Sequence, residues 1–140
     1  MYQLKYIPTD PIYLVGSSFE IQVDQTEESL CIFMDGGFND SKDVVYFEIR
    51  FHPAASLYYE INQMWQDTLK ERYDLSEMEK HRWVSGIYQV KDFDSPKIKV
   101  FDSKNSLNLV KFLVISQYGF CEVIAKENFE IKQYQSQISP

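Results

Sequence analysis

Residues 53–73 have the sequence PAASLYYEINQMWQDTLKERY. Apolar side chains recur in it every three or four residues, which is the spacing of one face of an α-helix. They are Leu57, Tyr58, Ile61, Met64, Trp65, Leu69 and Tyr73. Pro53 suits the first turn of a helix, where its missing N–H costs no hydrogen bond. The spacing therefore predicts one long amphipathic helix over about residues 53–73.

The segments on both sides of this stretch alternate between apolar and polar residues or form short β-favouring runs, both of which are typical of strands. They are residues 2–6, 19–23, 45–51, 86–90 and 120–126. Two further runs, residues 29–34 and 109–117, are apolar on both faces and predict strands near the centre of a sheet. Gly36 and Gly37 predict a turn, and Tyr118 with Gly119 predicts the turn of a β-hairpin.

Two shorter segments carry helix signals. Ser76 followed by Glu79 has the spacing of a capping box, which predicts a short second helix. Residues 95–104 fit two interpretations: Ser95 and Pro96 suit the start of a helix, whereas the KIKVF run that follows alternates like a strand. The sequence leaves this segment open between helix and strand.

Strands, then one long helix, then further strands is the order of an α+β fold rather than of repeated βαβ units. We expect a mainly antiparallel sheet of five to seven strands, with the helix of about residues 53–73 packed on one face. The sequence contains no repeat, low-complexity tract or flexible linker, so residues 1–140 are expected to form a single domain.

Charge and hydropathy narrow the classes of partner. The net charge is −7, and the first 51 residues hold nine acidic and three basic side chains. Because a negative field repels phosphate, we do not expect nucleic-acid binding. The longest apolar run, residues 107–115, is far shorter than the ~20 residues of a membrane span. The first ten residues lack the pattern of a signal peptide, so we expect a cytoplasmic protein with no membrane partner.

Residues that could carry chemistry are few and poorly spaced for it. His52, His81, Cys31 and Cys121 do not have a metal-ligand spacing, and both cysteines lie in apolar runs that predict buried thiols. Residues 35–43 lack the ligand pattern of a calcium loop. The five glycines form no phosphate-binding motif. We therefore expect no catalytic residue, no metal, no cofactor and no enzymatic activity.

Two groups of acidic residues and one aromatic ring are the candidate partner-binding residues. Like charges that gather at turns repel one another, and a basic partner relieves that repulsion. Tyr59 lies off the apolar stripe of the predicted helix, so its ring is expected to be exposed. The candidates are Asp24, Glu27, Glu28, Asp35, Asp40, Asp43 and Tyr59.

The C-terminal part of the chain shows a further pattern. GIYQV at residues 86–90 and DSP at 94–96 precede an apolar strand and the closing segment CEVIA at 121–125. This pattern resembles small uncharacterised bacterial cytosolic proteins, which look like the immunity proteins encoded beside bacterial polymorphic toxins. The resemblance covers about residues 86–131. Its motifs are structural, so it implies no functional residue.

The resemblance and the acidic composition together lead to one main expectation. The protein would be a non-enzymatic immunity protein that neutralises a cognate toxin, with a basic toxin domain as its protein partner. The alternative is a small-molecule-binding or regulatory module with a pocket between sheet and helix. A third class, a homo-oligomeric structural subunit, also remains, because the sequence does not reveal the oligomeric state.

Overall fold

A computed structural model of the chain describes residues 1–82, 85–95, 98, 99, 102, 104 and 106–134. Within this part the fold is mostly β, with 55% of residues in strands and 12% in helices. The strands are β1 (Tyr2–Ile7), β2 (Ile12–Asp24), β3 (Ser29–Phe38), β4 (Val45–Phe51), β5 (Ala54–Glu60), β6 (Tyr73–Asp74), β7 (Gly86–Val90), β8 (Leu109–Ile115), β9 (Phe120–Lys126) and β10 (Glu130–Tyr134). The labelled helices are α1 (Trp65–Arg72) and α2 (Ser76–Lys80).

The strands form two sheets. The first has six strands in the order β5-β9-β8-β7-β1-β6, and the second has four in the order β10-β4-β3-β2. All neighbours pair antiparallel except β1 and β6, which pair parallel over two residues. In the described part of the chain, β5 pairs only with β9 and forms one edge of the six-stranded sheet.

The main hydrophobic core lies between the two sheets. Strands β3 and β4 contribute Ile32, Met34, Phe47, Ile49 and Phe51 to it. From the six-stranded sheet, Phe112 and Val114 of β8 and alternate residues of β9 face the same core, as the period of two requires. Aromatic packing closes the centre, where the Phe112 ring lies 5.3 Å from that of Phe51.

A second core covers the opposite face of the six-stranded sheet. Leu113 and Ile115 of β8 point to this side, where they pack with Trp65 and Leu69 of α1 and with Met78 of α2. Both faces of β8 are therefore buried, which accounts for the absence of a polar face in residues 109–117. The molecule has three layers: the four-stranded sheet, the six-stranded sheet and the two short helices.

The predicted long helix over residues 53–73 is wrong, and so is the α+β fold class with one long helix on a sheet. Residues 54–60 form edge strand β5, and the helix spans only Trp65–Arg72. Leu57 and Tyr58 fit a strand as well as a helix, and pairing with β9 favours the strand. The chain turns at Asn62, whose Oδ1 accepts a hydrogen bond from the Met64 N–H at 2.8 Å.

The predicted turn at Gly36 and Gly37 is also wrong, because β3 runs through both residues to Phe38. Gly36 pairs with Leu14 on one side and with Val45 on the other. A Cβ at Gly36 would overlap the backbone carbonyl of Tyr13, so the position requires a residue without a side chain. Close approach of the neighbouring strand, rather than a turn, explains this glycine.

Other predictions have mixed outcomes. The central strand at residues 29–34, the short strand at 86–90, the short second helix and the hairpin of β8 and β9 are confirmed. The capping box of Ser76 and Glu79 is wrong, because Leu75 is the N-cap of α2 and forms no side-chain cap hydrogen bond. The question of helix or strand over residues 95–104 falls mostly outside the described residues, although Ile98 and Lys99 are helical. None of the described helices is long and apolar enough to cross a membrane.

The close approach at Gly36 yields a stability prediction. Gly36→Ala should lower the free energy of unfolding by about 1–3 kcal/mol, because the new methyl group forces β2 away from β3. Gly86→Ala is the matched control, since its Cβ would meet only the ring edge of Tyr6 at 3.3 Å. Urea unfolding of both variants measures the difference. Equal losses in the two variants would contradict the assignment of Gly36 to the strand interior.

Candidate interaction surface

The open edge of β5 lies between an acidic turn and an apolar cluster. At its start, the Ala54 N–H donates a hydrogen bond to the Glu28 carbonyl at 2.7 Å, which holds the strand against the β2–β3 turn. At its end, Glu60 pairs with Phe120 of β9. An unpaired strand edge exposes backbone donors and acceptors to a partner chain.

The acidic turn consists of Asp24, Glu27 and Glu28, all exposed. Asp24 Oδ1 accepts the Glu27 N–H at 3.1 Å, and Glu28 adopts a left-handed backbone with φ of 52°. A cleft of about 250 Å³ separates this turn from the beginning of β5, and Ala55 and Leu57 are among its lining residues. Asp24 and Glu28 of the turn therefore border a small concave surface that is lined in part by apolar residues.

The apolar cluster lies at the other end of β5. Its members are Tyr59, Ile61, Met64 and Tyr118, which are 53%, 67%, 60% and 63% exposed. The β8–β9 turn packs closely on this segment, because a Cβ at Gly119 would lie 3.1 Å from the Ile61 Cα. Four large apolar side chains, each more than half exposed, therefore occur at this end of β5 and in the hairpin turn beside it, and exposed apolar side chains that gather on a surface indicate a binding site.

One carboxylate lies beside this cluster, on the opposite face of β5 from Tyr59. Tyr58 Oη donates a hydrogen bond to Glu60 Oε1 at 2.6 Å, and this bond is the main cause of the lowered pKa of Glu60. The guanidinium of Arg72 lies 4.6 Å above the Tyr58 ring. Glu60 thus carries a fixed negative charge at the apolar end of the strand.

We name the acidic turn, the open edge of β5 and the apolar cluster together the β5 edge surface. It includes four of the seven residues proposed from sequence: Asp24, Glu27, Glu28 and Tyr59. The structure places Asp40 and Asp43 in the exposed β3–β4 loop, at the opposite end of β3 from the acidic turn. Since a strand rises about 3.3 Å per residue, ten residues separate the two acidic groups by roughly 30 Å.

Asp35 does not belong to any acidic surface, because it is buried in β3 with 6% of its area exposed. Ser17 Oγ donates to its Oδ2, and the Ser18 N–H donates to its Oδ1 at 2.8 Å. Burial acts to raise the pKa of Asp35, but the hydrogen bonds from Ser17 and Ser18 outweigh it and the pKa is lowered. The carboxylate holds the irregular middle of β2 against β3.

Sequence reasoning missed Ile61, Met64 and Tyr118. The predicted long helix places Ile61 and Met64 on its buried stripe. Both are exposed because residues 54–60 form a strand and no helix covers this stretch. Tyr118 lies in the hairpin turn, where an aromatic residue without a core to fill is a usable signal for exposure.

The structure describes the surroundings of the side chains that could support metal or thiol chemistry. The described residues contain no group of three metal-ligating side chains. Burial, helped by Glu48, raises the pKa of Cys31 to about 11, and burial raises the pKa of Cys121 further. Both thiols are therefore protonated at neutral pH, whereas the thiolate is the nucleophilic form of cysteine.

Comparisons with known proteins give no relative: no protein-family model, curated protein sequence or solved structure matches this chain. The resemblance of residues 86–131 to small bacterial cytosolic proteins therefore stays a prediction. Function has to be argued from the geometry of the surface.

The buried Asp35 carboxylate yields a pH-dependent prediction. Asp35→Asn should lower the free energy of unfolding by about 1–3 kcal/mol at pH 7, because the amide cannot accept all the bonds from Ser17 and Ser18. Since the pKa of Asp35 is lowered on folding, its contribution is complete above pH 3.8, the ordinary value, and is lost as pH falls through the folded value.

Urea unfolding of wild type and variant at pH 7 and at pH 3 measures this difference. The gap between them should narrow at the lower pH. Asp43→Asn is the matched control, because Asp43 is exposed, and it should change stability little at either pH. A gap that is the same at both pH values would contradict the assigned role.

Proposed function

We propose that this protein is a non-enzymatic, protein-binding inhibitor of the immunity type, which neutralises a cognate bacterial toxin domain by direct contact in the cytoplasm. The observation that carries the proposal is the β5 edge surface. On it, an open strand edge occurs together with the apolar cluster of Tyr59, Ile61, Met64 and Tyr118, each of which is more than half exposed.

An open edge and an apolar cluster support binding in different ways. The unpaired N–H and C=O groups of β5 can add a strand from a partner, which supplies main-chain hydrogen bonds. The aromatic and methionine side chains supply the area that anchors an interface, and such residues are enriched at interface centres. An inhibitor that covers an active site needs no chemistry of its own.

The negative charge of the protein favours a basic partner. The chain carries a net charge of −7, and Asp24, Glu27 and Glu28 lie at the start of the same edge. Complementary charge accelerates encounter and disfavours acidic partners. A toxin domain with a basic, nucleic-acid-binding cleft matches both the sign of this charge and its position beside an apolar anchor.

The test begins with affinity capture on the tagged protein at low salt, followed by washes of rising salt. A retained protein is then purified, and its stoichiometry and dissociation constant are measured by light scattering and calorimetry. Hydrogen exchange of the complex should show protection at residues 24–28 and 54–61. A retained partner that protects other segments, or no retained partner at any salt, would overturn the proposal.

Variants separate the two parts of the surface. Tyr59→Ala and Ile61→Ser should each weaken binding about tenfold or more, since truncation of an interface anchor costs 1 kcal/mol or more. Their matched controls are Tyr46→Ala and Val44→Ser, which remove an exposed residue of β4 and an exposed residue of the loop before it. The triple variant Asp24→Asn, Glu27→Gln, Glu28→Gln should reduce the salt dependence, whereas Asp40→Asn with Asp43→Asn should not.

Growth provides the readout for inhibition. Expression of the captured partner alone should arrest growth of a bacterial host, and co-expression of the wild-type protein should restore it. Tyr59→Ala with Ile61→Ser should fail to restore growth, while Tyr46→Ala with Val44→Ser should succeed. A partner that is not toxic would refute the immunity role while leaving protein binding intact.

A further inference from the structure

A pocket of about 280 Å³ opens on the helix-covered face of the six-stranded sheet. It lies beside β5, β8, β9 and the end of α1. Among its lining residues are Tyr58, Arg72, Phe93, Lys111, Glu122 and Ile124. The alternation of β5 places Tyr58 in this pocket and Tyr59 on the opposite face, so the pocket is distinct from the apolar cluster.

The floor of the pocket is a network centred on Glu122, which is 6% exposed. Tyr73 Oη donates to Glu122 Oε1 at 2.7 Å, and Arg72 Nη1 lies 3.0 and 3.1 Å from the two carboxylate oxygens. Lys111 Nζ lies 3.3 Å from Oε2. Burial and the bond to Glu122 raise the pKa of Tyr73, so its hydroxyl stays protonated as a donor.

Two cations face one carboxylate in this network. Only Nη1 of Arg72 contacts Glu122, so the Nη2 and Nε groups of the same guanidinium have no partner on that carboxylate. Lys111 has three N–H donors and directs one contact to Glu122. Among the described lining residues the charge is therefore positive by one, in a protein whose net charge is −7.

The cations are positioned by aromatic rings, which also give the pocket apolar walls. The Arg72 guanidinium lies 4.6 Å from the centre of the Tyr58 ring, and Lys111 Nζ lies 4.7 Å from that of Phe93. Cation–π contacts of this kind fix a charged group in one place. The Arg72 side chain is 40% exposed, whereas that of Lys111 is 15% exposed, so the guanidinium is the group closest to solvent.

The shape and chemistry of this pocket select one class of ligand. Arg72 contacts Glu122 through Nη1 alone, and a planar guanidinium matches a carboxylate, to which it can donate two parallel hydrogen bonds. The walls of Tyr58, Phe93 and Ile124 favour an apolar body, and about 280 Å³ is near the lower end of the range for small-molecule sites. Inorganic phosphate would leave those walls without a contact.

We propose that this pocket binds a small aromatic monocarboxylate, whose carboxylate contacts Arg72 and Lys111 and whose ring contacts Tyr58, Phe93 and Ile124. The site is a second binding function, separate from the β5 edge surface and independent of whether a toxin is the protein partner. Such a site corresponds to the small-molecule pocket between a sheet and a helix that the sequence left as an alternative, and ligand binding there requires no catalytic group.

The test is an NMR titration of the full chain with benzoate, phenylacetate and salicylate as probes. Each acid is paired with its amide: benzamide, phenylacetamide or salicylamide. At least one acid should bind saturably and shift the resonances of Tyr58, Phe93 and Ile124, while its amide binds about tenfold more weakly or not at all. Inorganic phosphate should compete poorly. Acids that shift nothing, or amides that bind equally, would overturn the proposal.

Lys111→Met tests the charge while keeping a side chain of similar length. The substitution should lower the affinity for the acid at least about tenfold, which is the effect expected for the loss of one charged contact. Lys132→Met is the matched control. Lys132 of β10 also forms an ion pair with a glutamate, since its Nζ lies 3.0 Å from Oε2 of Glu48 in β4, but it lies outside the pocket. The control variant should leave the affinity unchanged.

A second variant keeps the test decisive if Lys111→Met fails to fold. Arg72→Lys retains the positive charge at a half-exposed position but removes the planar guanidinium. It should therefore lower the affinity for the acid, while the NMR spectrum remains that of the folded protein. Unchanged affinity in a folded Arg72→Lys variant, or ligand shifts that map to another part of the chain, would refute the assigned site.

Discussion

The antiparallel pairing of β8 with β9 is the constraint on which the rest of the structure depends. Both strands bear buried apolar side chains on both faces, so each must be covered twice. Phe112 and Val123 turn toward the four-stranded sheet, and Leu113 and Phe120 turn toward the helices. The three layers follow from this single requirement, because a sheet with two apolar faces at its centre cannot leave either one in water. Glu122 is the buried carboxylate of this pair, and the cations around it make its burial tolerable.

Strand positions were well predicted from the sequence, because alternation and apolar runs are local signals that the final packing preserves. The helix over residues 53–73 was not, because Leu57 and Tyr58 satisfy both a period of 3.6 and a place on a sheet edge. Pairing with β9, a partner more than 60 residues away, decides between them. One local signal did oppose the helix: Asn62 lies in the middle of the stripe, and Asn favours turns and caps over helix interiors. Here the turn preference of Asn62 conflicts with the helical spacing around it, and Asn62 lies at the boundary between β5 and α1.

The candidate surface was only partly predictable for a related reason. Acidic residues in a polar turn, such as Asp24, Glu27 and Glu28, remain exposed in most folds, so composition alone located them. Asp35 looked like a turn residue only because Gly36 and Gly37 follow it, and the close approach of β2 placed all three inside a strand. Ile61 and Met64 could not be recognised as exposed while the helix was assumed. Errors in secondary structure thus became errors in the site, since exposure depends on which face an element presents.

Strand β5 joins the two proposed functions through one geometric fact. The alternation of β5 directs Tyr59 to one face and Tyr58 to the other. The strand proposed to pair with a protein partner therefore also contributes Tyr58 to the proposed carboxylate pocket. Arg72 lies against Tyr58 and holds Glu122, and Glu122 belongs to β9, the only described partner of β5. These contacts connect β5 to α1 and β9 on one side, while its other edge pairs with no strand in the described part of the chain. A strand that is held in place before a partner binds loses less conformational entropy on binding, which supports the proposal of an interface at this edge.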